Sequence, residues 1–103
     1  MSSLDEVRQA AQKKLLFLPH AVRQMSRPEH MITPSEVETV VTKGELIEDY
    51  PLDRRGHSCL LLGFGHADRA VHVVCSPKDD FLAIITAYLP DPAQWLQDFR
   101  RRH

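Results

Sequence analysis

Six histidines, at positions 20, 30, 57, 66, 72 and 103, and an arginine set that includes Arg23, Arg27 and Arg69 are the groups in this chain best suited to proton transfer and anion binding. An imidazole, with an unperturbed pKa of about 6.5, takes or gives a proton near neutral pH. A guanidinium holds a phosphate through two parallel hydrogen bonds. Those are the needs of metal-free RNA cleavage by an internal 2′-hydroxyl, which requires a base, an acid and cations on the developing phosphorane charge. In that chemistry His20 and His72 are the base and acid, and Arg69, three residues before His72 at a strand entrance, is the catalytic cation. Arg23 and Arg27 lie at i+3 and i+7 from His20, so a helix would carry all three as one basic, substrate-binding strip. His57 and Tyr88, at the ends of the flanking strands, are the rim of the substrate site, the tyrosine by stacking on a base or donating a hydrogen bond. The structural alternatives are a core His72 satisfied by a backbone or hydroxyl acceptor and a solvated arginine strip.

No other motif competes. The histidines lack close metal-ligand spacing, so no metal or other cofactor is expected. A Gly-rich phosphate loop, a nucleophile elbow and a zincin helix are also missing from the sequence. Cys59 and Cys75 have no CxxC spacing and sit in apolar runs, which predicts buried, reduced thiols.

The element that must position these groups runs from His57 to Tyr88. Turn formers at Gly63, Gly65 and Asp68, then at Pro77, Asp79 and Asp80, divide it into three apolar runs of strand length. The junctions are too short for a crossover helix, so the runs form an antiparallel meander. Cys59 and Cys75 are each eight residues from Ala67, which predicts that they face each other across the first hairpin, with Leu61 opposite Val73. GELIEDYP adds a charged edge strand, with Leu46, Glu48 and Tyr50 on one side, for about four strands in all.

Helices should pack on that sheet. Ser3 and Glu6 form a capping box for a first helix whose apolar side runs from Leu4 to Leu15. Pro19 interrupts it, and HAVRQMSRPEHM reads as a second helix ended by Pro28. Thr33 caps a third, with Val37, Val40 and Val41 as its buried stripe and Gly44 as its stop. In LPDPAQWLQDFRRRH, Asp91 and Pro92 signal a C-terminal helix with Trp95, Leu96 and Phe99 on its apolar side. The expected fold is one α+β domain over residues 1–103.

Composition sets the outer bounds. Thirteen Lys+Arg against 14 Asp+Glu leave a formal net charge of −1, so no whole-molecule field draws the chain to nucleic acid or to an anionic membrane. No run approaches the ~18 apolar residues of a membrane span, and the N-terminus has no signal-peptide pattern, which points to the cytosol.

Several segments together carry a family resemblance: His20 with Met25, GELIEDYP, SCLLLG, Arg69 before VHVV, IITAY, and PDP with Trp95. Over residues 18–95 the chain resembles the bacterial domain-of-unknown-function family DUF4258. It departs from the family's helix-end arginine motif at RPEHMIT, where Arg27 is displaced. The resemblance implies a RelE-like fold and membership of a toxin–antitoxin pair. RelE-like toxins are metal-independent RNA endonucleases, and the partner implied is a small zinc-ribbon antitoxin. The alternative is a catalytically silent module of the same fold that holds a protein partner. An exposed apolar patch would favour that alternative, and a continuous basic patch would favour RNA.

Overall fold

Ser2, one residue earlier than expected, caps the first helix, α1 (Ser3–Lys13), in a reciprocal box with Asp5. The computed structural model describes residues 2–103. The chain continues as β1 (Leu15–Phe17), α2 (Pro19–Met25), α3 (Pro34–Lys43), β2 (Glu45–Tyr50), β3 (Ser58–Phe64), β4 (Ala70–Pro77) and β5 (Leu82–Tyr88). Pro19 does not end α1, which stops at Lys13 before β1; it opens α2 at its first turn, because proline's fixed φ and missing N–H suit that position. Thr33 and Glu36 form the capping box of α3.

The α+β architecture holds, with two corrections. The sheet has five strands in the order β1-β5-β4-β3-β2 and is mixed, because β1 runs parallel to β5. Leu15, read as helical, belongs to β1, which is anchored by hydrogen bonds from Leu82 N–H to Lys14 O and from Leu18 N–H to Ile84 O. The C-terminal helix is absent. Asp91 starts one turn, its carboxylate accepting from Ala93 N–H, and the chain then reverses so that Trp95 pairs with Arg102.

The first hairpin has the expected register, with Cys59 opposite Cys75 and Leu61 opposite Val73, and both thiols are free. Ala67 and Asp68 take positive φ in its connecting turn. The three helices cover the face formed by Cys59, Leu61, Val71, Val73, Cys75, Leu82 and Ile84, with Val37, Val40 and Val41 buried as predicted. Gly63 permits the approach of α3, since a Cβ there would lie 2.8 Å from Val40 Cγ2.

Two bulges reset the alternation. Ile47 has no partner on β3, so Leu46 pairs with Leu61 on the helix face while Glu48 and Tyr50 pair with Leu60 and Ser58 on the other. Leu46 therefore does not share a face with Glu48 and Tyr50. A second register shift places Cys75 opposite Ile84 and Val74 opposite Thr86. Among the described residues, no helix is long and apolar enough to cross a membrane.

Candidate functional site

His72 lies on the sheet face away from the helices, paired in register with Leu62 and Tyr88, and is fully buried. Its Nε2 is 2.8 Å from the Phe99 carbonyl, which can only accept, so Nε2 carries the proton. Nδ1 is then the acceptor for the Tyr88 hydroxyl at 3.3 Å. Trp95 closes the site edge-on, its ring centroid 4.5 Å from the imidazole. Burial is the main force on this ring and lowers its pKa, partly offset by the Phe99 carbonyl and the charge of Glu48. Burial likewise raises the Tyr88 phenol to about 12. His72 and Tyr88 form a closed, neutral hydrogen-bond chain under the C-terminal segment.

Arg69 is committed elsewhere. Its Nε and Nη2 donate to the two Glu36 carboxylate oxygens at 3.1 and 2.8 Å, while Nη1 and Nη2 donate to the carbonyls of His30 and Met31 at 2.9 Å. Glu36, 3% exposed, also accepts from the N–H groups of Thr33 and His66. Burial opposes its ionisation, yet the bonds from Arg69, His66 and Thr33 outweigh that cost and hold the carboxyl at about 2. Arg69 thus ties the start of α3 to the β3–β4 turn and to the loop before α3.

The predicted catalytic trio does not assemble. His20 lies on α2, whose Ala21 and Met25 pack into the helix-side core, so the sheet separates it from His72. His20 and Arg23 are exposed and, among the described residues, make no hydrogen bond or ion pair. Arg27, just beyond the end of α2, stands 3.8 Å from Glu29 in an exposed pair. The basic tail is neutralised by the protein itself. Arg100 binds Glu45, Arg101 binds Asp98, and Arg102 grips Glu48 through two bonds while lying over Trp95.

His57 enters a cluster with no counterpart in the sequence reading. Its Nε2 is 2.5 Å from Asp49 Oδ1, and the Ser3 hydroxyl donates to Asp49 Oδ2 at 2.8 Å. Cys59 Sγ stands 3.5 Å from Asp49 Oδ1 and 3.8 Å from His57 Nε2. Burial, then the adjacent Asp49 carboxylate, pushes the Cys59 thiol up to about 12, so by itself it is no nucleophile. Both thiol and carboxylate reach the same imidazole nitrogen, which is not a nucleophile–base–orienter relay. His57 also lines an open cleft of about 300 Å³ with Glu6, Gln9, Lys13 and Lys78. The one sequence signal for this cluster is the His57-x-Cys59 spacing, two ligand types two residues apart at the entrance of β3.

Two comparisons with known proteins found nothing: no curated protein and no solved structure matches the chain. A family model described as Domain of unknown function (DUF4258) matches residues 17–89. α1 and the C-terminal segment that seals His72 both lie outside the matched residues.

Proposed function

This chain belongs to the family described as Domain of unknown function (DUF4258), which assigns no activity, and from its residues we propose that it is a protein-binding module rather than a nuclease. The observation that carries this is the β1 edge of the sheet. β2, the opposite edge, is guarded by Glu45, Glu48 and Asp49 and by a bulge. β1 carries no charge, and Leu16 on it is 39% exposed. With Lys14 O and Leu18 N–H turned toward β5, strand alternation turns the backbone groups of Leu15 and Phe17 outward. Just beyond, on α2, Val22 is 49% exposed beside the unpartnered His20 and Arg23. An open strand edge with apolar and basic neighbours suits an extended, acidic partner segment added as a sixth strand.

The endonuclease reading retains one free histidine and one exposed arginine on α2, with Arg27 beyond the helix end beside Glu29, without the second acid–base group that it needs. The test co-expresses the chain with the product of its neighbouring reading frame, which the family resemblance suggests is a small zinc-ribbon protein. The expected result is a complex that Leu16→Lys disrupts, with β1 amides protected from exchange in the wild-type complex and RNA left uncut by the chain in chelator. RNA cleavage abolished by His20→Ala, or a complex indifferent to Leu16→Lys, overturns the proposal.

A further inference from the structure

We infer that Asp49, His57 and Cys59 form a site for a divalent, zinc-like metal ion, with three protein ligands and an open fourth position. Asp49 Oδ1, His57 Nε2 and Cys59 Sγ all lie within 4.8 Å of one another. Usual zinc–ligand lengths in a tetrahedron separate such donors by about 3.3–3.6 Å. Of the two sulfur edges, the 3.5 Å one to Asp49 falls in that range and the 3.8 Å one to His57 lies just beyond it. The third, 2.5 Å, is closed by a hydrogen bond between His57 and Asp49, and it must open by about 1 Å when an ion replaces that proton.

The scaffold holds the ligands on rigid backbone. Asp49 pairs in register with Cys59 across β2 and β3, and His57 stands in the bend just before β3, its carbonyl held by the Ser76 hydroxyl. Two groups from α1 form the outer layer: the Ser3 hydroxyl on Asp49 Oδ2, and Glu6 Oε2, 3.7 Å from His57 Nδ1. A carboxylate behind the distal nitrogen is the usual partner of a metal-bound imidazole. Asp49, exposed on the edge strand β2, gives an ion access from solvent.

The protons balance. On binding, Nε2 gives up its proton, Nδ1 takes one and turns it toward Glu6, and the thiol loses its own, for a net release of one proton. Thiolate and carboxylate together offset the 2+ charge, so the buried sulfur carries no uncompensated charge. The mixed S, N, O set favours zinc or cobalt over magnesium or calcium.

The experiment titrates Co²⁺ into the reduced, folded chain and records its absorption spectrum. A sulfur-to-cobalt charge-transfer band with strong tetrahedral d–d bands, bleached by Zn²⁺, is expected. Cys59→Ser should remove the charge-transfer band and Cys75→Ala should leave it. Asp49→Asn and Glu6→Gln, both at exposed positions that keep the fold, should weaken Co²⁺ binding about tenfold or more. A featureless octahedral spectrum with folded wild type, or a charge-transfer band that survives Cys59→Ser, overturns the inference.

Discussion

Arg69 and His72, three residues apart, were expected to meet a substrate together, and each is instead consumed by the fold. The fork of N–H donors that suits a phosphate suits a carboxylate and two carbonyls equally well. Arg69 uses it on Glu36, His30 and Met31. Gly65 belongs to the same arrangement, since a Cβ there would lie 2.1 Å from Glu36 Oε2. Arg69→Ala leaves a buried carboxylate without its cation and should lower the unfolding free energy by about 3–5 kcal/mol in urea titrations. Arg69→Lys should recover only part, because an ammonium cannot fork. A loss under about 1 kcal/mol for the alanine variant would show that the pair does not hold the loop.

The segment after Tyr88 shows how an element can begin as its sequence signals and end otherwise. Asp91 and Pro92 start a turn, but a helix would keep its carbonyls to itself, whereas His72 requires one as acceptor. The reversal, with Phe99 at φ 59°, delivers the Phe99 carbonyl to His72 Nε2 and buries Trp95 to 2% exposure. Arg102 then lies over the indole and closes on Glu48 of β2. Helix propensity is worth well under about 1 kcal/mol per residue, less than burying an indole and satisfying an imidazole. Trp95→Ala should therefore cost about 3–5 kcal/mol and open the His72 ring to solvent, seen as a His72 NMR titration nearer the ordinary histidine value. An unchanged His72 resonance with full stability would mean that the strap is not what encloses it.

At the scale of the molecule, acid should act in two windows. His72, lowered by burial, binds protons less readily folded than unfolded, so stability is complete above the unfolded value of about 6.5 and declines as pH falls below it. Glu36, held at about 2 against an ordinary 4.5, contributes above 4.5 and is lost as pH falls toward 2, a total of about 3 kcal/mol. Urea midpoints measured from pH 8 to pH 3 should show a shoulder and then a steeper fall. His72→Gln, which keeps a donor for Phe99 O but cannot titrate, should flatten the first window and leave the second. A wild-type profile level from pH 8 to 5 would contradict the buried, neutral histidine.

What the sequence determined by itself was whatever depends on near neighbours. The equal distances of Cys59 and Cys75 from Ala67 set the hairpin register, the Thr33–Glu36 box set the start of α3, and the Val37, Val40, Val41 spacing set its buried stripe. Each follows from strand or helix periodicity and turn chemistry within a short span. Only the tertiary structure decided the rest. Leu15–Phe17 is a strand because β5 offers its backbone, since three residues have no strand stability alone. One unpaired residue, Ile47, turns Asp49 toward Cys59 and His57, and no periodicity announces a bulge. His20 and His72 fell on opposite sides of the sheet because α2 packs on the Val71 and Val73 face; alternation along β4 fixed that His72 pointed away from that face without saying what would cover it.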